Sequence, residues 1–201
     1  MDHRPIVVTG FTRCGTSLMM RLLHVGGIEP YCPAENIGNS YESPDTLLLP
    51  DDGSWIHLCY GKAVKILEPL ACRPPTLETG YRFIVMRRDH REQVKSMEKF
   101  LHLVRGLPPL TSTERRRLRR SLDIDFPRML ARLESYRNST VQIVEFSAVL
   151  GNPLATCEIV CKFVGLPLDR APHMADVVIP RSAACYPGLL ELQVVNQGTN
   201  P

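Results

Sequence analysis

No uninterrupted apolar run in the 201-residue sequence approaches the roughly 20 residues that a helix needs to cross a bilayer. A helical membrane span is therefore not expected. The opening residues lack a charged stretch followed by a cleavable apolar one, because a strand pattern already begins at residue 5, so no secretory leader is expected either. Aromatic residues make up only 6%, with a single Trp. None is interleaved with the basic run Arg115 to Arg120, which argues against base stacking on single-stranded nucleic acid. A net charge of +3 is too small to imply a nucleic-acid partner. No low-complexity tract, internal repeat or composition shift divides the chain, so one domain over 1–201 is expected. The seven cysteines are odd in number and irregularly spaced. Cys157 and Cys161 share a helix face, yet no second pair completes a zinc site. The expectation is reduced, mostly buried thiols, no metal and a cytoplasmic location.

What is present is an ordinary globular composition, 44% hydrophobic and 22% charged. Strand patterns at 5–10, 61–67, 81–86 and 141–146 alternate with helical ones at 15–25, from Asp89 to about 104, and from Pro153 to Gly165. Between these, Ser112 or Thr113 is placed to cap a strongly basic helix, and Pro127 to open a separate one ending near Tyr136. Residues 29–53 read as irregular, with one turn of helix near 43–49. Beyond Leu166 the chain reads as loop, with one short strand at 177–179. Strands alternating with helices predict an α/β fold: three layers, with a mainly parallel central sheet flanked by helices.

The apolar run Pro5 to Thr9 leads directly into Gly10-Phe11-Thr12-Arg13-Cys14-Gly15-Thr16-Ser17 and then an apolar helical pattern. The spacing is that of a phosphate-binding loop, G-x-x-x-x-G-K-[ST], except that Thr16 stands where the lysine belongs. That lysine reaches the β- and γ-phosphates of a nucleoside triphosphate, so the loop suits a phosphate-bearing ligand but not ordinary ATP chemistry. The nearby cation is Arg13. A second anion site is expected where the strand ending at Met86 runs into Arg87-Arg88-Asp89, with Ser96 eight residues after Arg88. Ligands of parallel sheets sit outside the carboxyl ends of strands, and arginine gives two parallel charge-assisted bonds to a phosphate.

These motifs resemble the sulfotransferases that use PAPS (3′-phosphoadenosine-5′-phosphosulfate). Thr12-Arg13-Cys14-Gly15-Thr16-Ser17 is similar to the family's P-K-S-G-T-[TS] loop, with Arg13 at the lysine position. Arg88 and Ser96 match the family's pair that grips the 3′-phosphate. Glu145-Phe146 through Leu166-Pro167 resembles its last core segment, and Asn39-Ser40-Tyr41-Glu42 resembles a G-Y-[FW]-E motif. The resemblance covers about three fifths of the chain. It implies the P-loop NTPase-like sulfotransferase fold, and PAPS as donor, with adenosine 3′,5′-bisphosphate as product and no metal. Arg13, Cys14, Gly15, Thr16, Ser17, Arg88, Ser96 and Arg181 would hold the nucleotide, Arg181 closing over the 3′-phosphate.

The implied reaction moves a sulfuryl group to a hydroxyl or amine of a small-molecule, glycan or lipid acceptor. Arg13, Lys65 and the 15–17 turn would stabilise the charge that develops. The family's K-T-H histidine is missing, since the aligned stretch is Lys65-Ile66-Leu67. Glu42 is the candidate base, ahead of Glu68, His57 and His90. The basic run has an alternative reading as a patch for an anionic acceptor, and loops 29–60 and 105–125 are expected to wall the pocket. Two other functions remain open at this point. One is a P-loop small-molecule kinase or ATPase, which lacks its lysine and its second acidic strand end. The other is a catalytically inactive nucleotide-binding protein of the same fold.

Overall fold

The computed structural model describes residues 3–48 and 53–184. Among the described residues, four strands form one parallel sheet: β1 (Ile6–Gly10), β2 (Ala63–Leu67), β3 (Arg82–Arg87) and β4 (Thr140–Glu145), in the order β2-β1-β3-β4. Side chains alternate across it, so each central strand feeds two cores. Ile6 and Val8 of β1, with Ile84 and Met86 of β3, face α1 (Thr16–Val25), α5 (Phe146–Gly151), α6 (Pro153–Val164) and α7 (Arg170–Asp176). Val7, Phe83 and Val85 face the opposite way, toward α3 (His90–Arg105), α4 (Ser112–Glu134) and the 3₁₀ turn at Ser54–Cys59. This is the expected three-layer α/β architecture. A short α2 (Pro44–Leu48) is the helical turn expected near 43–49, with Leu49 outside the described residues.

Chain chemistry sets most of the boundaries. Asp89 caps α3 through bonds to the N–H groups of Arg91 and Glu92 (3.0 and 3.1 Å). Asn152 caps α6, which opens on Pro153 and ends at left-handed Gly165. Arg82, buried at the start of β3, donates to the Val164 carbonyl and ties that strand to the end of α6.

Four expectations fail. The basic helix is capped by Thr111, not Ser112 or Thr113, because only Thr111 has a glutamate three residues on to complete a capping box. Pro127 opens no new helix; α4 runs through it. Leu122 before the proline and Met129 and Leu133 after it are buried in one core, and this shared burial keeps the two halves collinear despite the lost backbone bond. Residues 177–179 form no strand, and the loop expected beyond Leu166 contains α7, whose Ala171 and Met174 are fully buried beside α6. Four of the six described cysteines, Cys14, Cys59, Cys157 and Cys161, are buried; Cys185 lies outside the described residues.

Candidate active site

The turn after β1 and the start of α3 after β3 lie at the carboxyl end of the sheet. There β1 has β2 on one side and β3 on the other. Between them opens a cavity of about 440 Å³. Thr12, Arg13, Gly15, Thr16, Ser17, Glu42, Lys65, Arg88 and Arg181 all line it. Of the residues expected to form the site, Cys14 and Ser96 alone are not in its wall.

The loop is shaped by glycines that close approach demands. Gly10 has φ +147, and a Cβ there would stand 2.7 Å from Cys14 Sγ and 2.8 Å from the Met86 carbonyl. Gly15 has φ +106, and a Cβ there would stand 2.5 Å from the Phe146 ring. Gly15→Ala is therefore expected to cost about 2–4 kcal/mol, read as a fall in Tm of roughly 5–15 °C. An unchanged Tm would place Phe146 elsewhere. Cys14 points into the core, and burial pushes its thiol up to about 12, so the thiol is not a nucleophile.

Lys65 is a strand residue, only 4% exposed, on the same face of β2 as Ala63. Its ammonium donates to Ser17 Oγ (3.1 Å), the Ser40 carbonyl (2.8 Å) and Glu42 Oε1 (2.9 Å), which uses its three donors. Burial lowers its pKa from the ordinary 10.5, and Glu42 opposes the fall. Glu42 is held over the site by a sharp turn, with Tyr41 fully buried at φ +56. Ser17 Oγ also donates to the Ser40 carbonyl (3.3 Å). The Asn39-to-Glu42 motif and the loop thus close on each other.

Across the cavity, Arg88 is 4% exposed. Its Nη1 donates to the Arg13 carbonyl (3.2 Å) and its Nη2 to the Ala183 carbonyl (3.1 Å). Its guanidinium lies 4.6 Å from the Phe146 ring centroid, and that of Arg181 lies 5.5 Å from the same centroid. Arg13 reaches Ser96 Oγ with its Nε (3.3 Å) and packs over Phe100 (5.1 Å).

The other candidate bases lie elsewhere. Glu68 accepts the Thr12 N–H (2.8 Å) and lines no part of the cavity. His57 is exposed on the 3₁₀ turn, and His90 pairs with Asp123 (2.6 Å) in a separate polar cleft. The cavity wall comes from 38–42, from 97–101 of α3, from Phe146 and Leu150 and from 177–181, not from 105–125 as expected. No residue of the basic run lines it, and Arg115 is paired with Glu98 (2.7 and 2.8 Å).

Sequence reasoning missed Phe100, Phe146 and Gln93, whose side-chain amide donates to the Thr12 carbonyl (2.8 Å). A helical signal for two of them was available: Gln93, Ser96, Met97 and Phe100 stand at i, i+3, i+4 and i+7, one face of α3.

No protein-family model matches the chain, and no curated protein matches it in sequence. Solved structures do match in shape. A mouse sulfotransferase, SULT7A1, complexed with PAP, superposes with TM-score 0.60 at 12% identity, over 89% of this chain and 65% of that one. Sulfotransferase STF9 from Mycobacterium avium gives 0.54 at 14% identity, over 98% and 76%. Retinol dehydratase in a complex with retinol and PAP gives 0.53 at 13%, over 86% and 64%. The chain has the sulfotransferase fold, and it spans just under two thirds of the mouse protein and of retinol dehydratase.

Proposed function

We propose that the protein is a sulfotransferase that takes a sulfuryl group from PAPS and gives it to a hydroxyl or amine of a small-molecule, glycan or lipid acceptor. The observation that carries this reading is one cavity with cationic side chains at two separate places in its wall. Lys65 stands with Ser17 and the Gly15 turn, and Arg88 stands with Arg181. The loop presents backbone N–H groups at the start of α1, where the helix dipole favours an anion. It has no lysine beside Ser17 to reach a triphosphate chain, which fits a nucleotide charged at both ends better than ATP. PAP in two of the matching structures is the desulfated form of the same nucleotide.

The residues present suit that donor. The Gly15-to-Ser17 turn and Lys65 would hold its phosphosulfate end, and Arg88 and Arg181 its 3′-phosphate. When bound, PAPS supplies a sulfuryl group on a good leaving group, adenosine 3′,5′-bisphosphate. Lys65 and the turn would stabilise the negative charge that this leaving group takes on. Glu42 takes the proton that the acceptor hydroxyl gives up. One of its carboxylate oxygens is anchored on Lys65, and a third of the side chain is exposed.

Calorimetric titration of the wild-type chain tests the reading. A clear preference for adenosine 3′,5′-bisphosphate over ATP is expected, together with transfer of labelled sulfate from PAPS to members of an acceptor panel. Equal affinity for both nucleotides, or magnesium-dependent ATP turnover, overturns it.

A further inference from the structure

Both polar backbone atoms of Thr12 are gripped by side chains. Its N–H donates to Glu68 Oε1 (2.8 Å), from the residue just after β2. Its carbonyl accepts from Gln93 Nε2 (2.8 Å), from the first turns of α3, and Gln93 is 2% exposed. The same amide reaches the Phe11 carbonyl (3.4 Å). The peptide planes on either side of Thr12 are therefore pinned by two separate elements. The next residue, Arg13, has φ +68, a left-handed conformation that a non-glycine residue keeps only when its surroundings enforce it.

That conformation decides where the Arg13 side chain goes. It runs along α3, donates from Nε to Ser96 Oγ (3.3 Å) and lies on the ring of Phe100. Ser96 and Phe100 are four residues apart, on one helix face. Arg13's carbonyl accepts from Arg88 Nη1 (3.2 Å), so the two arginines are neighbours. Ser96 is fully buried and absent from the cavity wall, whereas Arg13 lines it. An anion entering the cavity meets the guanidinium before the hydroxyl.

Resting on the PAPS reading, we infer that Arg13 joins Arg88 in binding the 3′-phosphate, and that Lys65, Ser17 and the turn N–H groups serve the sulfuryl end without it. Ser96 is a positioning residue that aims Arg13 and does not itself touch the phosphate. Glu68 and Gln93 are positioning residues for the loop backbone. The charges agree with this division. A terminal phosphate monoester carries nearly two negative charges at neutral pH, and its three terminal oxygens accept from more than one guanidinium fork.

Two probes separate the two ends of the nucleotide: adenosine 3′,5′-bisphosphate and adenosine 5′-phosphate, titrated calorimetrically into the full chain. Arg13→Gln is expected to weaken bisphosphate binding at least about ten-fold and monophosphate binding less than about two-fold. Ser96→Ala is expected to weaken only the bisphosphate, and to add nothing in the Arg13→Gln background. Arg13→Lys keeps the charge but loses the fork and the bond to Ser96; it is expected to fall between, and it carries the test if the glutamine variant does not fold. Equal loss of both nucleotides in the Arg13 variants puts this residue at the 5′ end and overturns the inference, while a discriminating wild type leaves the PAPS reading standing. A wild type that binds the two nucleotides equally removes that reading and the inference with it.

Discussion

Lys65→Met is expected to lower sulfuryl transfer by about 10²- to 10³-fold, the size of effect seen when one charge-stabilising donor is taken from a water-poor site. Lys65 reaches this position from the interior of a strand, so its backbone is fixed by the sheet and its ammonium by three acceptors. Stability should change little by comparison, because the lysine is already desolvated and Glu42, a third exposed, can turn to water once its partner is gone. A pH dependence accompanies this. Burial favours the neutral amine, so the folded chain releases this proton below 10.5 while an unfolded lysine still holds it. Across that window the unfolded state binds more protons, and this group's contribution to stability rises with pH. Transfer is expected to do the reverse, falling as pH rises through the folded pKa, because the positive charge on Lys65 is lost. A pH–rate profile should show an alkaline limb below 10.5 that disappears in Lys65→Arg, which stays protonated throughout. A limb unmoved in the arginine variant would assign it to another group.

Arg88→Ala is expected to cost more than about 1.5 kcal/mol of binding to adenosine 3′,5′-bisphosphate, upwards of ten-fold in Kd. Adenosine 5′-phosphate binding should change far less. The residue is almost fully buried, and its guanidinium carries two backbone bonds and an aromatic contact. It is therefore pre-positioned and loses little side-chain freedom when an anion arrives. Titration of both nucleotides into the variant, with a thermal melt to check folding, measures the effect. A variant that binds the bisphosphate as the wild type does would separate this arginine from the 3′-phosphate.

The sequence was most readable where local chemistry dictates local structure. Gly10 and Gly15 bracket a turn that only small residues allow. Phe83-Ile84-Val85-Met86 is apolar without interruption because both faces of β3 are covered, and Asp89 caps the helix that follows. These features were enough to expect Arg88 beside the loop, and its bond to the Arg13 carbonyl spans 75 positions. What was not readable depends on distant partners. Pro127 looks like a helix start until Leu122, Met129 and Leu133 are seen to share a core. Arg13 reads by position as a partner of the sulfuryl group; its turn toward Ser96 follows from the grip of Glu68 and Gln93 on the preceding residue, which no spacing encodes. The meeting of Glu42 with Lys65 needs a left-handed Tyr41, a conformation the sequence does not announce.

Phe146 is the first residue of α5, yet three parts of the site lean on it: the bare face of Gly15 and the guanidinium groups of Arg88 and Arg181. One benzene ring is the hinge pin of the whole cavity. Trimming it would leave every charge in place and still let the entrance turn, the middle arginine and the trailing segment drift independently.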